Sequence, residues 1–217
     1  MLSPLPNKRN LPKIKTERNL MTLAFFGGSF NPPHNGHLAI ALLLRERFQP
    51  DKLMFSVSKN PFKSVVDVSD EDRLAMTRLL ADELNATGNI AEVSDWELKQ
   101  DKPSYTIETI EHLSQQYPKA KVLLAIGEDN FRTFSKWKRY EEILERATLI
   151  VFERPNATTP MDFTPPETAC IYRVPLWIDE NSTELRAQLS KGIYPKGEMP
   201  QSILTYIQNR RLYQRHA

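Results

Sequence analysis

The stretch TLAFFGGSFNPPHNGHLAIALLLRE, residues 22–46, sets the expected fold and contains the main candidate site. Residues 22–26 are a short apolar run that stops at a Gly-Gly pair, as a buried strand does. From residue 37 to residue 48, apolar side chains recur at three-to-four spacing, which predicts a packed helix. A strand followed by a glycine-containing turn and a helix is typical of the first unit of an α/β sheet.

The rest of the chain repeats this alternation of strand and helix. Apolar runs predict further strands over residues 52–57, 89–93, 121–126, 148–152 and 171–174. Helical periodicity predicts helices over residues 70–84, 106–117 and 140–147, one that begins at Ser182, and a last one near 201–209. Ser69 precedes Asp72 by three residues, a spacing that resembles a capping box. We therefore expect a doubly wound, Rossmann-like α/β fold with a parallel sheet, in a single domain.

The charge of the chain is unevenly distributed. The net charge is +2, but residues 1–20 carry five basic side chains against one acid, which leaves about −2 for residues 21–217. Because nucleic-acid binding needs clustered excess positive charge, the near-neutral body argues against it. Residues 1–21 are basic and contain three prolines without periodicity, so we expect a disordered leader before a domain over residues 22–213. A nucleic-acid-binding arm is the alternative for the leader.

Cysteine content and hydropathy exclude further classes of protein. Cys170 is the only cysteine, so the chain cannot form an internal disulfide or a thiolate metal cluster. No apolar stretch approaches the roughly 20 residues of a membrane span, and the N-terminus lacks the apolar region of a secretory signal. These features predict a cytoplasmic protein without a membrane partner.

His34 and His37 stand three residues apart around Gly36, and the chain has only four histidines. They could share a metal ion, although no third ligand with suitable spacing is nearby. They could be a helix cap and a surface residue. They could also bind phosphate, because the first helix of an open α/β sheet presents free N–H groups and a partial positive charge beyond the strand ends.

The surrounding residues favour phosphate binding. Gly27 and Gly28 remove side chains where a phosphate chain would approach the backbone, and Gly36 would let both histidines sit on a tight turn. Imidazole N–H groups can stabilise charge on a transferring phosphoryl group. The stretch is neither a Walker loop nor a dinucleotide fingerprint, since GxxxxGK[ST] and GxGxxG are both absent.

These motifs resemble a known family. HNGH at residues 34–37, after GGSFNPP, is similar to the HxGH signature of the nucleotidyltransferase superfamily. The later blocks resemble the nicotinate-nucleotide adenylyltransferase family in their order. They are PSYTIET (103–109), IGEDNFRTFSKWKRYEEIL (126–144), LIVFERP (149–155), STELR (182–186) and ILTYIQNRRLY (203–213). The resemblance spans roughly residues 22–213.

The resemblance implies an adenylyl transfer. In that family the phosphate of nicotinate mononucleotide attacks the α-phosphorus of ATP directly and in line, giving nicotinate adenine dinucleotide and pyrophosphate. No side-chain nucleophile takes part, so the protein supplies alignment and charge neutralisation. Mg²⁺ is the expected cofactor, carried by the ATP phosphates without protein ligands.

The resemblance also assigns residues to ATP. His34, His37 and Arg186 are the expected catalytic residues. STELR matches a motif commonly written ISSTxIR, in which Ser182 would cap a helix and meet phosphate. An ordinary capped helix with a solvated arginine is the competing interpretation. The expected ATP-binding residues are Gly27, Gly28, Ser29, His34, His37, Arg154, Ser182, Thr183 and Arg186.

A second set of residues is assigned to the mononucleotide. Trp137 would stack on the pyridine ring, Asp129 would accept hydrogen bonds from ribose, and Lys63 would neutralise the phosphate. Trp137 could instead be a core residue. The full expected set is Ser29, Lys63, Tyr105, Thr106, Asp129 and Trp137. Trp96, Trp177 and His112 are expected to have structural roles and not to take part in the site.

Some positions depart from the pattern of the family. Asn31 stands where bacterial members usually carry Asp, Phe62 replaces a His, and Glu180 and Asn181 replace the first two residues of ISST. GSFNP is closer to the form in eukaryotic nicotinamide-mononucleotide adenylyltransferases. Three alternatives are therefore kept: a preference for nicotinamide mononucleotide, another HxGH enzyme such as a pantetheine-phosphate adenylyltransferase or a cytidylyltransferase, and an inactive nucleotide-binding module.

Overall fold

The computed structural model describes residues 20–59, 68–153, 163–178 and 180–214. Within these ranges six strands form one sheet in the order β3-β2-β1-β4-β5-β6, and every neighbouring pair is parallel. The strands are β1 Thr22–Gly28, β2 Lys52–Val57, β3 Ala91–Ser94, β4 Lys121–Gly127, β5 Ala147–Glu153 and β6 Ile171–Pro175. This confirms the predicted doubly wound α/β fold.

Helices connect the strands and cover both faces of the sheet. In the described part of the chain they are α1 Asn35–Phe48, α2 Asp70–Asn85, α3 Thr106–Gln116, α4 Glu128–Arg132, α5 Tyr140–Arg146, α6 Ser182–Leu189 and α7 Gln201–Arg210. Two short 3-10 helices, Glu97–Lys99 and Phe134–Lys136, follow β3 and α4. None of the described helices is long and apolar enough to cross a lipid bilayer.

The core lies in two layers, one on each face of the sheet. Alternate residues of β1 point to opposite faces, as the pleat of a strand requires. Ala24 and Phe26 join the layer formed with α1, α2, α6 and α7, whereas Leu23 and Phe25 join the layer formed with α3 and α5. Each central strand of the sheet is therefore buried on both faces, which explains why apolar residues follow one another along it without alternating with polar ones.

Several predicted boundaries differ from the structure. Helix α1 begins two residues earlier than predicted, at Asn35, because His34 is its N-cap. Strand β3 begins two residues later, at Ala91, and the side-chain oxygen of Asn85 accepts hydrogen bonds from the amides of Ile90 and Ala91. Helix α4 and the 3-10 helices were not predicted, since three to five residues carry no readable periodicity.

The N-cap of α2 forms only half of the predicted capping box. The Ser69 hydroxyl oxygen accepts a hydrogen bond from the Asp72 amide, as expected. The Asp72 carboxylate does not complete the box, because it accepts hydrogen bonds from Ser69 Oγ, Tyr206 Oη and Arg210 Nε. Asp72 thus links α2 to α7.

Candidate active site

A cavity of about 530 Å³ opens at the carboxyl ends of the central strands. Strands β1 and β4 are neighbours although they are not consecutive, so the order of the sheet reverses between them. Ligands of open α/β sheets bind in the crevice at such a reversal. Gly28, the last residue of β1, and Gly127, the last residue of β4, both line the cavity.

Nine of the residues predicted from the sequence lie together in this cavity. They are Gly27, Gly28, Ser29, His34, His37, Tyr105, Thr106, Asp129 and Trp137. They come from three separate parts of the chain, namely the end of β1 with the turn into α1 and its first residues, the start of α3, and α4 with the 3-10 helix after it. The structure therefore brings the predicted ATP-binding turn and the predicted mononucleotide residues to one place.

The two histidines form a reciprocal cap on α1. Nδ1 of His34 accepts a hydrogen bond from the Gly36 amide at 3.1 Å, and Nδ1 of His37 accepts one from the His34 amide at 3.2 Å. Their ring centroids are 3.9 Å apart. A ring nitrogen that accepts a hydrogen bond carries no proton, so Nε2 carries the hydrogen in each neutral ring. The cap thus fixes the tautomer of both imidazoles.

Gly36 is required by the position of the His34 ring. A Cβ atom at residue 36 would lie 2.9 Å from two atoms of the imidazole. The predicted reason was a tight turn, but residue 36 lies within α1 and its role is to leave room for the ring. The pattern HxGH therefore reflects close packing of the histidine against the first turn of the helix.

The STELR segment contacts the β1–α1 turn but does not line the cavity. Arg186 Nη1 donates to the Asn31 carbonyl at 2.8 Å, and the Ser182 hydroxyl donates to the Pro32 carbonyl at 3.1 Å. Arg186 Nη2 also donates to Thr183 Oγ1. The predicted cap at Ser182 is wrong, because the Asn181 side chain caps α6 by accepting from the Glu184 amide.

Asn31 is buried in this turn and explains one departure from the family pattern. Its side chain is 3% exposed, and its Oδ1 accepts a hydrogen bond from the Tyr213 hydroxyl at 2.7 Å. A neutral amide can accept this hydrogen bond without the free-energy cost of burying a carboxylate. The C-terminal residues after α7 thereby reach the turn that carries the histidines.

Four contacts hold the cavity residues Tyr105, Trp137 and Lys138, which form a second part of the wall. Trp137 packs against Phe134 with ring centroids 5.0 Å apart, so it is half-buried and also faces the cavity. The Lys138 ammonium lies 4.5 Å from the centroid of the Tyr105 ring. Glu108 accepts hydrogen bonds from the Tyr105 amide at 3.0 Å and from Lys138 Nζ at 2.6 Å. The Lys138 hydrogen bond, followed by the backbone one, lowers the pKa of the Glu108 carboxyl.

Glu97 is a buried carboxyl in the same cavity that sequence reasoning missed. It is 5% exposed, and it accepts hydrogen bonds from Ser56 Oγ at 2.7 Å and from Ser104 Oγ at 3.3 Å. Burial raises the pKa of Glu97, and the hydroxyl hydrogen bonds and the charge of Arg73 oppose that rise. Glu97 connects the end of β2 to the residues that precede α3.

We expect the substitution Glu97→Gln to change how stability depends on pH. A carboxyl whose pKa is raised by folding stabilises the fold below its unfolded pKa, and this contribution is lost as pH rises through the folded pKa. Glutamine keeps an acceptor oxygen but does not titrate. The free energy of unfolding of Glu97→Gln relative to the wild type should therefore increase from pH 4 to pH 8, as measured by urea denaturation. A difference that is constant over this range, or that decreases, would contradict the assignment.

The described residues contain no group of three or more His, Cys, Asp or Glu side chains placed to hold a metal ion. The predicted metal-sharing alternative for the histidines therefore has no additional ligands within the described ranges. Lys63, Phe62 and Arg154 lie outside the described residues.

Little or nothing in the sequence indicated that several other residues would line the cavity. Lys136 and Lys138 flank Trp137 and could have been assigned with it. Apolar side chains at the other end of the cavity had no signal, namely Ile40, Leu176 and Ile178. Ser58, Ser104, Gly127 and Asn130 complete the polar part of the newly found lining.

Two of the three residues assigned to structure have that role. Trp96 stacks on His112 with ring centroids 4.5 Å apart and planes 11° apart. Trp177 does not, because it is 80% exposed. The chain leaves the sheet after Pro175 and exposes this side chain to solvent.

Comparison with known proteins identifies the family. A cytidylyltransferase-like family model matches residues 25–187. A relative from Chloroherpeton thalassium, described as a probable nicotinate-nucleotide adenylyltransferase, is 44% identical over 88% of this chain and 97% of its own length. A relative from Prosthecochloris aestuarii with the same description is 46% identical over 89% of this chain and 98% of its own. The chain belongs to the nicotinate-nucleotide adenylyltransferase family. This confirms the predicted family and the assignment as a nucleotidyltransferase.

Solved structures agree on the fold of this family member. A Plasmodium falciparum nicotinic acid mononucleotide adenylyltransferase complexed with NaAD has a TM-score of 0.69 at 17% identity, and it covers 89% of this chain and 97% of its own. The same enzyme complexed with APC has a TM-score of 0.67 at 16% identity over the same shares of the two chains. At these identities the likeness concerns the fold alone.

Proposed function

We propose that the protein joins nicotinate mononucleotide and ATP in this cavity, giving nicotinate adenine dinucleotide and pyrophosphate. The observation that supports this proposal most directly is that one cavity contains both the histidine pair and the wall formed by Tyr105, Trp137 and Lys138, here called the Trp137 wall. Its volume of about 530 Å³ lies within the usual range of small-molecule sites, about 300–1,000 Å³. The family and the position at the strand reversal support the same proposal.

The β1–α1 turn is the proposed ATP phosphate site. The cap holds both imidazoles with a hydrogen on Nε2, so each ring can donate to an anionic oxygen. A donor that is already oriented stabilises charge on the α-phosphoryl group without reorganising during the reaction. Ser29 and the backbone at Gly27 and Gly28 are proposed to contact phosphate, and Arg186 to hold the turn through the Asn31 carbonyl.

The Trp137 wall is the proposed mononucleotide site. The indole face would stack on the pyridine ring, and Asp129 would accept hydrogen bonds from ribose hydroxyls. The first amides of α3, at Thr106 and Ile107, have no partner within the helix, and the helix dipole adds a partial positive charge there. These features favour the ring carboxylate of nicotinate over a neutral carboxamide.

Mg²⁺ fits this site as a companion of ATP. The described residues offer no cluster of ligands, whereas a triphosphate supplies the oxygen ligands that Mg²⁺ prefers. When bound, the ion would neutralise charge on the phosphates. The protein's own contribution is to align the attacking phosphate with the α-phosphorus and to donate hydrogen bonds to it.

The proposal is tested by incubating the purified protein with ATP, Mg²⁺ and either mononucleotide. We expect pyrophosphate release with nicotinate mononucleotide, a product with the mass of nicotinate adenine dinucleotide, and loss of both when EDTA is in excess over Mg²⁺. The nicotinamide compound should give a lower kcat/KM, because it lacks the carboxylate that the start of α3 would bind.

Three results would lead to other conclusions. Faster turnover of nicotinamide mononucleotide would reverse the assigned preference. Release with phosphopantetheine or with CTP in place of the expected substrates would identify a different HxGH enzyme. No release with any of these would leave a nucleotide-binding module and would overturn the proposed catalysis.

A further inference from the structure

Arg73 is a buried cation directly behind the cavity wall. It lies on α2, is 3% exposed, and does not itself line the cavity. Its Nη1 donates to the Ser29 carbonyl at 2.7 Å and to the Ser58 carbonyl at 3.0 Å. Ser29 and Ser58 immediately follow β1 and β2, and both line the cavity. One guanidinium nitrogen therefore joins two strand ends in the wall.

The surroundings of Arg73 do not fully compensate its charge. The carboxyl of Glu97 feels this charge, but burial raises the pKa of Glu97 and so favours its neutral form. Its Nη2 pairs with Asp70 at 2.6 Å, but the Asp70 side chain is 43% exposed, and solvent weakens such a pair. Its Nε is buried and has no hydrogen-bond partner among the described residues. Taking a guanidinium out of water is costly unless it is fully paired. A buried and incompletely paired cation beside a cavity suggests a functional role.

The hydrogen bonds of Arg73 set the direction of two peptide groups. In a trans peptide, the carbonyl and the following N–H point in opposite directions. The Ser29 and Ser58 carbonyls point towards Arg73, so the amides of Phe30 and Lys59 point away from it. Phe30 has a φ of 44°, in the left-handed region that few non-glycine residues adopt. Turns that include such a residue can gather N–H groups into an anion-binding concavity.

We infer that Arg73 is a positioning residue for the triphosphate of ATP. It holds two carbonyl oxygens away from the cavity and places a positive charge behind the wall, so an incoming phosphate meets less negative potential there. The inference rests on the proposed function, since it concerns the ATP half of that site. Arg73 acts through the Ser29 and Ser58 peptides and touches no substrate.

The test compares Arg73→Lys with a matched variant, Arg45→Lys. Arg45 also uses Nη1 to bind a backbone carbonyl, that of Leu84, at 2.9 Å, but it does so at the other end of α2. Both substitutions remove a guanidinium and keep a positive charge. Binding is measured by titration calorimetry of the full chain with α,β-methylene-ATP and Mg²⁺, and separately with nicotinate mononucleotide, alongside the melting temperature.

Arg73→Lys should raise the Kd of the ATP analogue roughly tenfold, the scale of one hydrogen bond to a charged group, and change the Kd of the mononucleotide less than about twofold. Arg45→Lys should lower the melting temperature and leave both Kd values unchanged. An unchanged Kd for the analogue in Arg73→Lys, or an equal rise for both ligands, would overturn the inference and leave a structural arginine.

Two further results separate this inference from the proposed function. If the wild-type protein binds no ATP analogue, the proposed function fails and the inference fails with it. If the wild type binds and only Arg73→Lys fails to fold, Asp70→Asn replaces it, because the exposed Asp70 can be neutralised with little effect on folding. Removing this carboxylate leaves the charge of Arg73 less neutralised, so the Kd for the analogue should fall about threefold, the scale of a surface ion pair, and an unchanged or higher Kd would overturn the inference.

Discussion

The substitution His37→Ala is expected to lower the turnover number by roughly 100-fold or more, the usual effect of removing one donor to a transition-state oxyanion. The physical reason is the orientation of the ring. Its Nδ1 accepts a hydrogen bond from the His34 amide, so the hydrogen of the neutral ring is on Nε2, and the ring lies with His34 in the cavity. Steady-state pyrophosphate release at saturating ATP measures the change, with the KM of the mononucleotide expected to vary less than kcat.

Two control variants separate catalysis from capping. His37→Glu keeps an acceptor at the third residue of α1, as in an ordinary capping box, but has no donor and adds a negative charge. It should fold at least as stably as His37→Ala and be no more active. His112→Ala loses a stack on Trp96 outside the cavity and should retain wild-type turnover. Recovery of activity in His37→Glu would show that the histidine acts only as a cap.

The substitution Trp137→Ala is expected to raise the KM of the mononucleotide by about 5- to 150-fold, since stacking of a base on an aromatic side chain contributes about 1–3 kcal/mol. The KM of ATP should change much less, because Trp137 follows the 3-10 helix Phe134–Lys136 and is not part of the β1–α1 turn. Trp137→Phe keeps a flat ring and should recover most of the affinity. The measurement is steady-state kinetics with each substrate varied in turn.

Trp177→Ala is the matched control for this prediction. Trp177 is 80% exposed and lies outside the cavity, so both KM values should stay at the wild-type level. Trp137 also packs on Phe134, so the melting temperature of Trp137→Ala should fall as well. Equal increases in both KM values would indicate a collapsed cavity and would contradict a specific role in stacking.

The fold was readable from the sequence where the periodic signals were long. The run from Thr22 and the helix after it were predicted because strand and helix periodicity meet at a glycine pair. The helix start was misplaced because the apolar periodicity begins only after His37, and a cap was just one of three interpretations left open for the histidines, since histidine is not among the usual N-caps. Similarly, Asn181 and Ser182 are both good caps in adjacent positions, and only the backbone decides between them.

Residues of the site could be predicted from the sequence only where they belong to one local motif. His34 and His37 are neighbours in sequence, and Trp137 lies in a block that the resemblance covers. Glu97 and Arg73 are different, because their partners Ser56 and Ser29 are 41 and 44 residues away in sequence. A buried charge looks like a solvated one in a sequence, and only the packing of the sheet distinguishes them.

The most direct test of the central claim is a crystal structure of the protein with α,β-methylene-ATP, Mg²⁺ and nicotinate mononucleotide. We predict that phosphate oxygens of the analogue lie within about 3 Å of Nε2 of His34 and His37, the range of a hydrogen bond, with the pyridine ring stacked on Trp137. A triphosphate bound elsewhere, or imidazoles that contact no phosphate, would contradict the account.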